Sequence, residues 1–229
     1  METVQVQSSP VGRYEPVSDG FAVLPRRADT PGMELELLLL AIDRDSCAGV
    51  DLASGALVRA WSPEPFDERL RSYDVVVGTL AAEPDLVPDP AQAEAVVLAT
   101  SPELIGRITG RRAERYLRDL VHPPGQPLLG FHGPAVPFWE RTVDFPSIAL
   151  VEPEGTTVVG RRGPWLTCVF GWRGSRVELP FVDRRVARAL ARAGRSVTHS
   201  AKGDRLVVAL APPIDGHCHK VVAALLPRP

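Results

Sequence analysis

Lysine is almost missing: only two of the 26 basic residues are Lys, and the 229-residue chain has just three cysteines and two methionines. Cys47, Cys168 and Cys218 are far apart, odd in number and form no CxxC pair. That excludes a disulfide framework or a zinc knuckle and fits free buried thiols in a reducing compartment. Long apolar runs are also lacking. The longest, Leu37 to Ile42, is strand-sized, far short of the roughly 18 residues a membrane-crossing helix needs, so no membrane association is expected. The opening METVQVQSSPVGRYEP has no basic start followed by an apolar stretch, so a cytoplasmic location without a secretory leader is the expectation. Phosphate loops are missing too: neither GTLAAEP nor VVGRRG carries the glycine spacing with Lys-Ser/Thr. His199-Ser200 has no nucleophile-elbow context. No catalytic residue and no cofactor is assigned, and a non-enzymatic role is the expectation.

What is present is charge, unevenly placed. Residues 1–160 hold 13 basic and 24 acidic residues, a net of −11, whereas residues 161–229 hold 13 basic and 4 acidic, a net of +9. Such a split points to a polyanionic partner for the basic part, or to the two parts attracting each other.

Residues 1–32 are rich in Pro, Gly, Ser and charge, the composition of a loosely ordered arm that packs locally through Phe21, Val23 and Leu24. From Met33 the pattern turns to short strands. ELELLLLAID, CAGVDL and ALVRAW are joined by RDS and ASG turns, and YDVVVGTL and EAVVLA follow. Five such strands within 33–100 predict a small barrel or sandwich. SPELIGRITGRRAERYLRDLVHP has Leu104, Ile108, Tyr116, Leu117, Leu120 and Val121 at helical spacing behind Ser101-Pro102, which predicts a helix begun there. The proline-rich stretch from Pro123 to Pro146 is unsuited to a central strand and completes a connector over 101–146. In 147–229, SIALVEPEGTTVV, WLTCVFGW and RVELPFV read as strands. VDRRVARALARAG reads as an amphipathic helix capped by Asp183 and ended at Gly194, and RLVVALA and HKVVAALL as the closing strands. Three strands, a helix and two strands is the order of an OB-fold barrel.

LLLLAIDRDSCAGVDLASGALVRAWS, AEAVVLA, SIALVEPE, FGWRGSRVELPFVD and DRLVVALAPPIDGHCHKVVAALL, in that order, resemble the motifs of dual OB-containing domains of bacteria, over roughly residues 35–226. The resemblance implies a mostly β chain with a few helices, folded as two tandem OB-like five-stranded barrels. It also implies a nucleic-acid-binding role and the company of conflict or defence proteins. His219 stands where that family tends to have tyrosine, Ala60-Trp61 where a proline is common, and Phe181-Val182-Asp183 in place of a Thr-Asp step, so no specificity carries over.

The candidate binding residues lie in the basic part. Arg173 and Arg176 beside Trp165, Phe170 and Trp172, with Lys220, offer cations for phosphate and rings for base stacking. Arg59 with Trp61 forms a similar pair in acidic surroundings. Arg184, Arg185, Arg188, Arg192 and Arg195 line the polar side of the helix, as phosphate contacts or as a solvated face. His217 and His219, two apart on a strand, share a face and are weak metal candidates without a third ligand at recognisable spacing. Cys218 between them reads as an apolar filler. The leading expectation is single-stranded DNA or RNA binding through the basic barrel. The alternatives are a protein-interaction or regulatory subunit acting on a partner protein, and a metal-dependent enzyme.

Overall fold

The computed structural model describes residues 32–82, 92, 94–141 and 145–229; Phe21, Val23 and Leu24 of the N-terminal arm lie outside them. β1 (Glu34–Ile42), β2 (Ser46–Asp51) and β3 (Leu57–Trp61) form an antiparallel meander, followed by β4 (Asp74–Thr79), β5 (Ala95–Val97) and β6 (Glu103–Arg107). β4 pairs antiparallel with β1, and β5 runs parallel beside β3. The Leu80–Leu98 bridge, flanked by Ala81 N–H to Val97 O at 2.9 Å and Ala99 N–H to Thr79 O at 2.8 Å, brings β4 and β5 together. The circuit β1-β2-β3-β5-β4-β1 is that of an OB barrel.

The run ELELLLLAID is apolar on both faces because β1 serves two cores. Leu35, Leu37 and Leu39 point into this barrel with Val58, Phe66, Leu70 and Val76. Leu38 and Leu40 point outward, where they meet Ile148, Leu150, Val207 and Leu226 from the C-terminal part. Side chains alternate across a strand, so this division follows from period two.

The C-terminal part contains β8 (Ile148–Val151), β9 (Glu154–Arg162), β10 (Trp165–Trp172), β11 (Ser175–Pro180), α2 (Arg184–Arg192), β12 (Val197–His199), β13 (Arg205–Leu210) and β14 (His217–Leu226). β8 and β9 are one bent strand interrupted at Glu152-Pro153. β9 pairs with β12 and β10, and β8 with β13. β14 pairs with β13, and the parallel Phe181–Val222 bridge with Val182 N–H to Val222 O at 3.0 Å ties the end of β11 to β14. This is again the OB circuit, here with the helix between the third and fourth strands. Its core is built on Phe170, Trp172, Leu179, Leu206 and Val222. β12 was not expected: VTH is too short to show a pattern.

α2 starts where the sequence places it. The Asp183 carboxylate accepts from the backbone N–H groups of Arg185 at 2.8 Å and Val186 at 3.2 Å, and Gly194 ends the helix with φ +60°. Asp183→Ala removes this cap and is expected to cost about 1 kcal/mol, read as a lower urea midpoint with unchanged slope.

The connector corrects one expectation. No helix begins at Ser101-Pro102; Glu103–Arg107 is β6, at the free edge of β4, so Leu104 lies on a strand and Ile108 just beyond it. Ile105, Ile108 and Thr109 are β-branched and Gly106 weakens a helix, while β4 offers an open ladder. α1 (Gly110–Leu117) starts only after Thr109 and buries Ala113 and Leu117 in the seam between the barrels. The proline-rich stretch buries Leu128, Leu129, Phe131 and Val136 against the second barrel. It contributes β7 (Ala135–Pro137), an edge strand on β14.

Candidate nucleic-acid interface

A groove of about 640 Å³ opens at one end of the second barrel, between the β10–β11 hairpin and residues 127–134. The hairpin contributes Trp172, Arg173, Arg176 and Glu178, and the facing loop Leu128, Phe131 and His132; Lys220 of β14 also lines it. Arg173 is the tip of the turn, with φ +55°, and is exposed, as is Arg176 on β11. No carboxylate among the described residues pairs with either. Glu178 is already engaged by Arg162 at 2.6 Å, so the mouth of the groove is net positive.

The sequence candidates divide sharply by burial. Arg173 and Arg176 stand exposed at the groove, without a carboxylate partner among the described residues. Trp172 is 5% exposed and Phe170 is buried: both rings belong to the barrel core, which corrects the expectation that they stack on bases. Only the margin of Trp172 reaches the groove; its ring stacks on His122 with centroids 5.7 Å apart. Burial lowers the His122 pKa, opposed by its hydrogen bond to the Pro127 carbonyl. Trp165 is 73% exposed but opens β10 at its far end, seven residues from Trp172, or roughly 23 Å at the rise of a strand.

Lys220 is 4% exposed, which corrects its reading as a surface phosphate contact. Its ammonium donates to the Phe131 carbonyl at 2.7 Å and sits 3.8 Å from the centre of the Phe131 ring. Burial lowers its pKa from 10.5 to about 8. Arg59 is corrected as well. Its guanidinium lies 5.1 Å from the centre of the Trp61 ring and donates to the Leu210 carbonyl at 2.9 Å, which makes it a tie between the two barrels.

His217 and His219 do share a face of β14. His217 is exposed with its ring edge-on to Trp139 at 6.0 Å, and no group of three His, Cys, Asp or Glu that could hold a metal forms among the described residues. The pair is therefore not assigned as a metal site. Cys218 between them is fully buried, as the filler reading has it.

The helix arginines are partly occupied. Arg184 pairs with Asp43 at 3.2 Å and Arg188 with Glu68 at 3.1 Å, so the basic helix docks on the acidic first part of the chain. The facing loop of the groove was missed because it was read as connector. Its signals in the sequence are Gly130 and Gly133, which take positive φ near +80°, a conformation glycine adopts at no steric cost; Leu129 beside them takes φ +56° as well.

Topology and site together define an OB-fold protein with a basic groove beside the hairpin of its second barrel. No family model matches the chain, and no curated protein matches it. Among solved structures, a crystal structure of the p204 HINb domain is similar over 85% of this chain and 99% of that chain, at 9% identity and a TM-score of 0.34. A likeness of that size carries no argument, and the fold assignment rests on the strand circuits above.

Proposed function

We propose that the chain is a non-enzymatic binding module that holds single-stranded nucleic acid in the groove of its second barrel. The observation that carries this reading is the pairing of a groove with two exposed arginines, Arg173 and Arg176, that lack carboxylate partners among the described residues, while α2 points arginines at the first barrel. Arg173 sits in the turn that joins the second and third strands of the barrel and Arg176 on the third, beside the face on which OB-folds take oligonucleotides. With the core aromatics buried, phosphate contact outweighs stacking, and affinity is modest and salt-dependent. Membership of the dual OB-containing family, its company with defence proteins, a cytoplasmic setting and the division at 33–100, 101–146 and 147–229 belong to the same proposal.

The test is binding of labelled single-stranded DNA and RNA across a salt series. Two phosphate contacts on a single strand give a log–log salt slope of about −1.4. Arg173→Ala with Arg176→Ala is expected to flatten that slope and weaken low-salt binding at least about tenfold. Unchanged affinity in a folded double variant sinks the reading.

A second reading has its own observation. Phe138, Trp139 and Ile214 are exposed, Trp139 at 71%, around Gly216 and His217. An aromatic patch of that kind favours a protein partner. Salt-insensitive association with a protein, and none with oligonucleotides, would select it.

A further inference from the structure

Lys220 is out of keeping with the rest of the chain. Basic positions are filled by arginine in 24 of 26 cases, with Lys202 the other lysine, yet a lysine occupies this buried place. Its Nζ has a single carbonyl acceptor, that of Phe131, and an aromatic face; no carboxylate among the described residues neutralises it. Buried ammonium groups are ordinarily paired. Arg173, Arg176 and Glu178 of the hairpin and His132 of the loop line the same groove as Lys220, His122 stacks on Trp172, and β14 carries no acid. Two arginines and an ammonium raise the potential of the groove, and Glu178 is drawn off by Arg162. The floor around Lys220 is apolar, made of Leu128, Phe131 and Leu179.

This is a setting in which a lysine becomes a nucleophile: a desolvated amine in an apolar recess. We propose that the Lys220 amine forms a reversible imine with an aldehyde carried on a phosphate ester seated in the groove. In a single strand that aldehyde is the ring-opened sugar of an abasic nucleotide, and this source rests on the nucleic-acid reading above; the amine chemistry does not. The nitrogen lone pair attacks the carbonyl carbon, whose oxygen takes up a proton to give the carbinolamine. Loss of water, carrying that oxygen and a proton from nitrogen, leaves the C=N bond. No oxidant or reductant is needed. Arg173 and Arg176 hold the phosphate and Lys220 meets the carbonyl. With a pKa of about 8, roughly a quarter of the amine is free at about pH 7.5, against about 0.1% for an unperturbed lysine.

The experiment traps the imine on the full-length chain with cyanoborohydride and maps the modified lysine by mass spectrometry. Lys202, exposed, is the internal reference in every sample. Three probes are compared: single-stranded DNA with one abasic site, glyceraldehyde 3-phosphate, and unphosphorylated glyceraldehyde. The expected result is at least tenfold more adduct at Lys220 than at Lys202 with the phosphate-bearing probes, lost in Lys220→Arg, and no such preference with glyceraldehyde. Preference with glyceraldehyde 3-phosphate in a chain that fails to bind intact oligonucleotides upholds the amine and removes the strand. Binding of intact strands with Lys220 labelled no more than Lys202 by either phosphate-bearing probe overturns the inference and leaves the groove reading standing. The wild-type comparison of the two lysines decides the matter even if the Lys220→Arg variant fails to fold.

Discussion

Leu150→Ala is expected to lower the free energy of unfolding by about 3–5 kcal/mol. Leu150 is fully buried, and its core brings together Leu38, Leu40, Val50 and Val75 of the first barrel, Ala113 and Leu117 of α1, and Val207, Ala224 and Leu226 of the second barrel. Its backbone is also engaged: the carbonyl accepts from His122 N–H at 2.7 Å, and Val121 and Val207 flank it as strand partners. The seam is lined from both sides by regular strands, so it cannot collapse into the space a deleted side chain leaves, which puts the cost at the upper end for leucine truncation. Leu104→Ala, on the exposed edge strand β6, is the control and should shift stability by no more than about 0.5 kcal/mol. Urea unfolding checks both. A loss below about 1 kcal/mol for Leu150→Ala would mean that the seam is not a core.

Lys220→Met is expected to raise stability at neutral pH and to remove a pH-dependent term worth up to about 3 kcal/mol. The folded chain holds Lys220 at about 8 against an ordinary 10.5. Between those values the unfolded chain binds a proton that the folded chain does not, so stability rises with pH across the window and the full penalty stands below about pH 8. Other groups act in the opposite sense. Burial pushes the Cys47 and Cys168 thiols from 9.0 up to about 12, and Tyr73 from 10.0 to about 12. Their protons leave the unfolded chain first, which lowers stability above about pH 9.

The readout is therefore the difference between wild type and Lys220→Met. That difference should favour the variant at pH 7 and close as pH rises from about 8 to about 10.5, at up to about 1.4 kcal/mol per pH unit. Burial and, after it, the Lys220 charge hold the His122 pKa below 6.5, so removing that charge changes this titration too, but below the window of the comparison. Loss of the hydrogen bond to the Phe131 carbonyl shifts the difference by a constant and leaves its slope. A flat difference from pH 7 to 10.5 would show that Lys220 is as solvated folded as unfolded.

The barrels were legible because their signals are local. ELELLLLAID shows the strand buried on both faces, RDS and ASG the turns of the meander, and Asp183 with Gly194 the two ends of α2. The connector was half legible: the helical spacing of Tyr116 and Leu117 is real, but Leu104 and Ile105 belong to a strand, because the open edge of β4 lies near them in space and not in sequence. Of the proposed groove, the exposure of Arg173 and Arg176 was legible, since a hairpin exposes the residues of its turn. Phe170, Trp172 and Lys220 were misread as surface groups because alternation shows that Phe170 and Trp172 share a face but not which face turns inward. Residues 127–134 were missed because an irregular loop has no period to read.

The sequence by itself determined the five strands of each barrel, the turns between them and α2, and with them the OB class, since each depends on residues a few positions apart; β6, β7 and β12 lay outside that reading. It also determined that the last third is basic. Only the tertiary structure decided which cations are available. Arg184 and Arg188 face Asp43 and Glu68, Arg59 reaches the Leu210 carbonyl 151 residues on, and Lys220 is drawn under the Phe131 ring. Charge pairing and burial depend on separations through space, which composition and periodicity do not carry, so the groove and its two arginines, unpaired among the described residues, emerge only when the second barrel closes against residues 127–134.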